Sequence, residues 1–358
     1  MKNKTLCVIG VFRVLCCGSA VLFGAASAGA DSGAWNDIAS GDWNDPAKWV
    51  GGIVPSGAGS VATFTNGIAA TVNQNVPGLT LGGFFFANGL HTVTNNAITL
   101  DNNASPATVT VGIWDANTTR AILAVPLNGT GGLAKRGAGR LDLTAATPGT
   151  LAGPVTVDGG TLFSSATGGA PLGTGSAAVN GGWLNLSPAG SGQNVALTAA
   201  SGNTNATFAY SGAAILGLAK GANTGLTLTL GNAGAGDGSV LTRTNNGVLI
   251  VAPTNGTSPA NLGVAERLLV NGGAPTNNGM VSASIVGRNS DSGNTGDFLT
   301  YGENGLVTAS YTDGLGGGAA SIANLTATTT TDNASVYALR VNSGTLLTVN
   351  SGKTLTIG

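Results

Sequence analysis

The segment from Gly131 to Leu186 reads GGLAKRGAGRLDLTAATPGTLAGPVTVDGGTLFSSATGGAPLGTGSAAVNGGWLNL. Three short runs rich in apolar residues follow glycines in it: Arg-Leu-Asp-Leu after Gly139, Thr-Leu-Phe after Gly160 and Trp-Leu-Asn-Leu after Gly182. These glycines stand 21 and 22 residues apart. A constant period of this length is typical of solenoids, in which a repeat buries its apolar face only by stacking on its neighbours. The segment therefore predicts a β-solenoid.

The composition supports a chain built from short strands and turns. Among 358 residues, 60 are glycine, 42% are hydrophobic and only 8% are charged. The formal net charge is −1, and no basic run is present, so we expect neither a nucleic-acid partner nor a polybasic membrane contact. After the N-terminal segment, no stretch reaches the roughly 18 apolar residues of a membrane-spanning helix.

The N-terminal residues Met1 to Ala30 have the pattern of a secretory signal peptide. Lys2, Lys4 and Arg13 supply positive charge, and Val14 to Ala26 form the apolar region. Small residues suited to cleavage follow, as Ala-Ser-Ala and Ala-Gly-Ala. Arg13 lies deep in the segment, which leaves an uncleaved membrane anchor as the alternative.

All three cysteines lie within this leader, at Cys7, Cys16 and Cys17. A mature chain would then contain no cysteine, which excludes disulfides and thiolate sites from it. We therefore expect its stability to come from the stacking of repeats.

Short alternating runs separated by Asn-Gly, Pro-Gly or Asn-Asn continue along the chain and predict an all-β fold. The period weakens beyond Leu186, although Gly225 and Gly247 again stand 22 apart. Helical spacing is nearly absent, and the two candidate helices are Ala260 to Val270 and Ala213 to Ala219. The residues that we expect to point into the core of the later repeats are Leu226, Leu228, Leu230, Val248 and Ile250.

The same segment resembles the autotransporter-associated β-strand repeat. The start of that consensus, Gly-Gly-Leu-x-Lys-x-Gly-x-Gly-x-Leu-x-Leu, matches Gly131 to Leu143 and includes Lys135. Its middle, Val-x-Val-x-Gly-Gly-Thr-Leu, matches Val155 to Leu162, and a Leu-Gly-x-Gly follows at Leu172 to Gly175. The resemblance implies a right-handed parallel β-helix in the passenger region of a bacterial surface protein.

Three tryptophans, Trp35, Trp43 and Trp49, lie close together among Gly, Asn, Asp and Pro residues. One interpretation is an N-terminal cap, because a solenoid must cover the exposed core of its first repeat. The other is a sugar-binding platform formed by the flat tryptophan rings. We therefore predict a signal peptide over 1–30, a Trp-rich N-terminal cap over 31–66 and β-solenoid repeats over 67–358, clearest at 131–186.

Candidates for catalysis are few. His91 is the only histidine, and a position at the exposed end of a strand is the simplest expectation for it. Glu266 and Glu303, the only glutamates, are 37 residues apart and make a weak glycosidase pair. Asp142 and Asp158 could approach each other on neighbouring repeats, as in polysaccharide lyases.

Both aspartates lie near Arg136 and Arg140, yet turn and surface roles explain them better. Asp291 to Asp297 weakly resembles a calcium loop, but Gly293 offers no side-chain oxygen at its third position. We therefore expect no catalytic residue, metal or cofactor.

The predicted function is that of a secreted or cell-surface, non-enzymatic β-helical protein, adhesive or structural in role. The alternative is a β-helix protein that binds or degrades polysaccharide. Expected partners are surface polysaccharide or matrix, and further copies of the chain joined end to end. The pattern stops in mid-repeat at Gly358, before any segment like the C-terminal translocator of the family, which indicates a truncated chain.

Overall fold

A computed structural model describes residues 30–36, 39–65, 67–112, 120–233, 240–253, 262–288 and 296–358. Almost all regular structure in these residues is β-strand, and most paired strands run parallel. Two short 3₁₀ turns, Pro46–Lys48 and Val50–Gly52, are the helical elements of the described chain. The predicted all-β class is therefore confirmed. The predicted leader lies almost wholly outside the described residues.

Short strands succeed one another along the first half of the chain. They are β1 (Gly33–Trp35), β2 (Gly41–Asp42), β3 (Val61–Phe64), β4 (Ala70–Gln74), β5 (Thr80–Leu81), β6 (Gly83–Phe86), β7 (Leu90–Asn95), β8 (Ile98–Leu100), β9 (Ala107–Val111), β10 (Arg120–Ala124), β11 (Leu127–Asn128), β12 (Leu133–Arg136), β13 (Arg140–Leu143), β14 (Val155–Val157), β15 (Thr161–Ser164), β16 (Ala177–Asn180) and β17 (Trp183–Leu186).

The second half contains a similar series. Its strands are β18 (Asn194–Ala199), β19 (Phe208–Ser211), β20 (Ala213–Leu218), β21 (Gly225–Leu230), β22 (Leu241–Arg243), β23 (Val248–Pro253), β24 (Glu266–Val270), β25 (Ile285–Arg288), β26 (Gly296–Gly302), β27 (Gly305–Thr308), β28 (Thr312–Asp313), β29 (Ile322–Leu325), β30 (Thr329–Thr331), β31 (Ala334–Val336), β32 (Ala338–Val341), β33 (Leu347–Val349) and β34 (Leu355–Ile357).

Two long sheets organise the chain up to Thr308. The chain contributes strands to one sheet and to the other in alternation. The nine-stranded sheet has the order β1-β3-β6-β9-β12-β14-β16-β19-β22. The twelve-stranded sheet, which we call the long sheet, has the order β2-β4-β7-β10-β13-β15-β17-β20-β23-β25-β26-β27. Its pairs are parallel as far as β25, and the last two pairs are antiparallel. Strands that fall between these in the sequence form two smaller parallel sheets, β5-β8-β11 and β18-β21-β24.

The core is made by apolar side chains at alternate positions of aligned strands. Leu141, Leu162, Leu184 and Leu216 are successive register partners in the long sheet, and each is at most 1% exposed. Since side chains alternate between the two faces of a strand, the neighbouring residues point to the opposite, outer face of this sheet. One continuous cluster of buried residues extends from Trp35 to Leu306.

The 21- and 22-residue spacings match the structure over the quoted segment. Arg140 pairs with Thr161, and Thr161 pairs with Trp183. The next register partners of Trp183 are Ile215 and then Ile250, at intervals of 32 and 35 residues. These intervals contain β18 and β21, six-residue strands of a separate sheet, between the visits to the long sheet. The regular period therefore does not continue beyond Leu186.

Two expectations about side-chain direction are corrected in this region. Leu226, Leu228 and Leu230 are buried as predicted, but Leu249 and Val251 occupy the core positions of β23 in place of Val248 and Ile250. A shift of one residue reverses every side chain of a strand. Gly225 and Gly247 introduce strands of different sheets, so their 22-residue spacing does not give them equivalent registers.

Both candidate helices are also wrong. Ala213–Leu218 is β20, and Glu266–Val270 is β24. In β24 buried and more exposed residues alternate, with Glu266, Leu268 and Val270 on the inner side. Pairing of this segment with β21 overrides its local helical preference, as tertiary contacts commonly do.

The C-terminal part of the chain, after Thr308, has a separate arrangement. Its sheets are β28-β29-β32, β30-β33 and β31-β34, all with parallel pairs. A second, small cluster of buried residues consists of Ala309, Ile322 and Ala338 from this part and Met280 from the chain before it. The antiparallel strands β26 and β27 separate this part from the parallel series before it. In the described residues no helix is long and apolar enough to cross a membrane.

Glycine is required where one strand approaches the next at a turn. A Cβ atom on Gly132, whose φ is +90°, would lie 2.0 Å from the carbonyl oxygen of Pro154. Gly181 also has a positive φ, +72°, but a Cβ there would meet no atom within 4 Å. The two positions therefore share the same backbone strain and differ in the contact with the neighbouring turn.

We expect Gly132→Ala to lower the free energy of unfolding by about 1–3 kcal/mol more than Gly181→Ala, because only the first substitution forces two turns apart. The Gly181 variant should lose about 1–2 kcal/mol through the positive φ alone. Urea denaturation followed by far-ultraviolet circular dichroism measures both. Equal losses would show that the close approach at Gly132 does not limit the packing of the turns.

Candidate functional site

The three tryptophans lie inside the protein. Trp35, Trp43 and Trp49 are 2%, 0% and 2% exposed, and they sit on or next to β1 and β2, the first strands of the two long sheets. The ring centroid of Trp49 is 5.0 Å from that of Trp35 and 5.0 Å from that of Trp43. Phe64 lies against them, with its centroid 6.0 Å from that of Trp49. This packing leaves no ring face open to a sugar, and it agrees with a role in closing the end of the core.

Hydrogen bonds fix two of the three indole rings in this cluster. Trp49 Nε1 donates to the carbonyl oxygen of Trp43 at 2.7 Å, and Trp43 Nε1 donates to that of Pro55 at 3.2 Å. Because these buried N–H groups have backbone partners, the rings are held in defined orientations. The sequence showed the cluster, but the buried position follows from the pairing of β1 with β3 and of β2 with β4.

His91 is buried, which corrects the expectation of an exposed strand end. It is fully buried, and its ring packs 5.2 Å from that of Phe64, centroid to centroid. Nε2 lies 2.9 Å from the carbonyl oxygen of Asn88. The residue lies in register with Ala70 and Ala121, two small side chains that leave room for an imidazole in the core.

Asp142 is the centre of a charged cluster on the outer face of the long sheet. Its side chain is 0% exposed, while those of Arg120 and Arg140 are 42% and 31% exposed. Arg140 Nε donates to Oδ1 at 2.5 Å, and Arg140 NH2 donates to Oδ2 at 3.3 Å. Arg120 donates to Oδ2 through Nε and NH2. Arg120 and Arg140 are direct register partners, and the carboxylate offsets the repulsion that two like charges have in such a pair.

Aromatic residues continue this cluster along the same face. Phe163 is the register partner of Asp142, and the Cζ atom of Arg140 lies 4.2 Å from the centroid of its ring. Trp183 and Asn185 follow on the next strand, β17. Phe163, Trp183 and Asn185 are all partly exposed. We call these residues the outer patch: Arg120, Arg140, Asp142, Phe163, Trp183 and Asn185.

Gly217 shapes one end of the outer patch. It is the register partner of Asn185 on β20. A Cβ atom there would lie 2.8 Å from Trp183 Nε1 and 3.0 Å from Asn185 Oδ1. The Nε1 edge of the indole therefore lies close to the backbone of β20 at Gly217. In the described residues, Trp183 Nε1 and Asn185 Oδ1 are buried atoms without a hydrogen-bond partner.

Comparisons of the chain with protein-family models, with curated proteins and with solved structures find no match. The function must therefore be argued from the site itself.

The other predicted acidic pairs do not come together. Asp158 follows β14 of the nine-stranded sheet, where Arg136 Nε lies 3.6 Å from its Oδ2 and Asn180 donates to its Oδ1 at 2.8 Å. Asp142 belongs to the other long sheet. Asp158 thus shares a surface with Arg136, whereas Asp142 shares one with Arg140.

The two glutamates also lie in different surroundings. Glu266 is fully buried and accepts a hydrogen bond from the backbone N–H of Lys220 at 3.3 Å. Burial raises the pKa of its carboxyl group. Glu303 is exposed, between β26 and β27. One glutamate in the interior and one at the surface do not form the facing pair of a glycosidase.

No group of three or more His, Cys, Asp or Glu side chains in the described part of the chain is arranged to hold a metal ion. Most of the calcium-like loop, residues 291–295, lies outside that part. Asp297, its last residue, bonds within the protein: Oδ1 accepts from Arg340 NH1 at 2.5 Å and from the Tyr311 hydroxyl at 3.2 Å.

Lys135 is a buried residue, and the sequence did not lead us to expect it in the core. It is 0% exposed and lies on the inner side of β12, in register with Val109 and Val157. Its Nζ donates to three backbone carbonyl oxygens, those of Arg136 at 3.0 Å, Gly137 at 2.8 Å and Gly159 at 3.0 Å. The lysine thus joins the turns after two neighbouring strands. Its place between Gly132 and Gly137, next to the turn, is the signal that could have indicated this role.

Burial lowers the pKa of Lys135 from 10.5 to about 8. Between these values the unfolded chain keeps a proton that the folded protein has lost, so the free energy of unfolding should rise with pH. Below pH 8 both states are protonated, and this contribution should be constant. We expect the stability difference between the wild type and Lys135→Met to grow from pH 8 to pH 10. Urea denaturation of both proteins across this range measures it; a difference independent of pH would contradict the lowered pKa.

The outer patch could have been assembled from the sequence. Aligning Gly139, Gly160 and Gly182 places the second residue of each following run, a leucine, in the core. The first and third residues then share the outer face: Arg140, Thr161 and Trp183 in one row, and Asp142, Phe163 and Asn185 in the other. Arg120, from an irregular earlier interval, has no such signal.

Proposed function

We propose that the chain is a β-solenoid of the right-handed parallel β-helix kind that acts outside the cell as a non-enzymatic structural or adhesive element. The observation that carries the proposal is the series of parallel, in-register strands, with one continuous apolar core between Trp35 and Leu306. Such stacking produces a stiff scaffold with long, regular outer surfaces. The Trp-rich segment serves as its N-terminal cap, and the repeat resemblance supports a bacterial surface protein.

The state of the acidic side chains supports a non-enzymatic role. Each oxygen of Asp142 is bound by an arginine, so the carboxylate serves to hold Arg120 and Arg140 in place. A general base needs a lone pair directed at substrate. Asp158 is likewise bound by side chains of its own surface, among them Asn180.

The proposal is tested by expressing the full chain with its N-terminal segment in a Gram-negative host. We expect the processed chain outside the cytoplasm, beginning after Ala28 or Ala30, as N-terminal sequencing would show. A chain that retains residues 1–30 in the cytoplasm would contradict export.

The exported protein is then incubated with a panel of polysaccharides, and new reducing ends are measured. Time-dependent release of reducing ends would overturn the non-enzymatic role.

A further inference from the structure

We propose that the outer patch binds an anionic polysaccharide whose sugars carry carboxylates, that is, a polymer of uronic acids. The inference rests on the proposed extracellular, adhesive function, and it names the ligand class and the surface. The polymer would cross the strands of the long sheet, with a carboxylate on the arginines and a sugar ring on Trp183.

The charge of the outer patch favours a carboxylate ligand. Two guanidinium groups surround one carboxylate, which leaves a net charge of +1 on this part of the face. Apart from Asp142, the formally charged residues on strands β7, β10, β13, β15, β17, β20, β23 and β25 are arginines: Arg120, Arg140 and Arg288. On these strands, an anionic polymer that crosses the sheet therefore meets one carboxylate, which is buried and paired with two arginines.

The geometry of the guanidinium groups leaves donors for the ligand. Arg120 and Arg140 each use Nε and NH2 to bind Asp142. A guanidinium carries five N–H groups in a planar fork, so the N–H groups of NH1 are not among those that bind Asp142, and the two side chains are 42% and 31% exposed. Because Asp142 fixes both side chains, little conformational entropy is lost when a carboxylate binds them.

The aromatic residues supply flat apolar surfaces beside these donors. Phe163 lies under the guanidinium of Arg140, and the Nε1 edge of Trp183 lies close to the backbone at Gly217. The two lie on adjacent strands and are diagonal neighbours, because Trp183 pairs with Thr161. A rigid aromatic ring next to polar groups suits a ligand with both C–H faces and hydroxyl edges, as a sugar has.

Two polar atoms add to this argument. Trp183 Nε1 and Asn185 Oδ1 are buried without a hydrogen-bond partner in the described residues. Leaving such atoms unpaired lowers stability, and native proteins seldom do so without a functional reason. Both lie next to Gly217, where the lack of a side chain leaves room for these two groups against the backbone of β20. A nucleic acid fits the patch less well, because its dense phosphates need many cationic contacts.

The test measures binding of an oligogalacturonate to the full exported chain by isothermal titration calorimetry, with a neutral galactose oligomer of equal length for comparison. We expect Arg120→Gln and Trp183→Ala each to weaken binding of the oligogalacturonate by about tenfold or more. Arg120→Gln should leave any weak binding of the neutral oligomer unchanged, since it removes a guanidinium whose proposed partner is the carboxylate.

Matched control variants come from the outer face of the nine-stranded sheet. Arg136→Gln removes an exposed arginine that also pairs with an aspartate, and Phe85→Ala removes a partly exposed aromatic ring. Neither should change the affinity. Thermal unfolding of all four variants checks that the fold is intact, which we expect because each side chain points away from the core.

The outcomes separate the site from the proposed function. Loss of affinity in Arg120→Gln and Trp183→Ala, with full affinity in the controls, supports the site. Binding that survives both substitutions, or falls equally in the controls, overturns the site but leaves an adhesive role. No binding of the oligogalacturonate overturns the ligand class and leaves a structural role. Depolymerisation overturns the proposed function itself.

Discussion

Replacing Trp49 with alanine is expected to lower the free energy of unfolding by about 3–5 kcal/mol, because the fully packed indole leaves a cavity. Trp49 contacts both other tryptophans, with centroid distances of 5.0 Å, and its Nε1 bonds the carbonyl oxygen of Trp43 at 2.7 Å. The substitution therefore opens the end of the core and leaves that oxygen without this donor. Chemical denaturation followed by circular dichroism measures the loss.

The part of the chain in which Trp49→Ala lowers local stability is as informative as the total loss. A stacked protein can lose its end without losing the rest, so we expect faster hydrogen exchange in peptides from 31–64 than in those from 240–252. Trp49→Phe keeps an aromatic ring and should recover most of the lost stability. Val264→Ala, at a position 66% exposed, is the control and should change stability by less than about 0.5 kcal/mol. Uniform deprotection along the chain would contradict a local cap.

Replacing Lys135 with methionine is expected to cost about 3–5 kcal/mol, because three backbone carbonyl oxygens in partly buried hydrogen bonds lose a charged donor at once. Methionine keeps the length and apolar character of the lysine stem, so the loss reports on the ammonium group. The carbonyls belong to turns after β12 and β14, at Arg136, Gly137 and Gly159. We therefore expect the substitution to loosen the contact between these two turns first.

The matched control is Lys353→Met, at an exposed lysine near the C-terminus. It removes the same charge, and we expect it to leave the free energy of unfolding nearly unchanged. Hydrogen exchange of peptides that contain Gly137 and Gly159 locates the effect of Lys135→Met. A stable Lys135 variant with unchanged exchange would show that water replaces the ammonium group, and that the lysine does not hold the turns together.

The buried lysine and the outer patch arise from the same repeat, on opposite sides of its sheets. Lys135 joins successive turns from within, while Arg140, Phe163 and Trp183 face outward on β13, β15 and β17. This division lets the outer residues vary without loss of packing. We therefore infer that the repeat supplies stability from its glycines, leucines and lysine, and that the outer positions are where ligand specificity can be placed.

The sequence by itself determined the all-β class, the strands of the quoted segment and their register. Its glycines and alternating leucines are local signals, and a spacing of 21 or 22 residues is enough to align Leu141 with Leu162 and Leu184. Alternation also places Arg140, Asp142, Phe163 and Trp183 on one face. These features follow from the geometry of a strand, in which neighbouring side chains point to opposite faces.

Only the tertiary structure decided the sheet to which each later strand belongs and the side chains it buries. After Leu186 the intervals between register partners change to 32 and 35 residues, and nothing local in the sequence states these lengths. His91, Lys135 and Glu266 are polar residues that the sequence alone would place at the surface, yet each is fully buried. Burial of a polar group depends on the partners that distant segments supply, such as the carbonyl of Gly159 for Lys135.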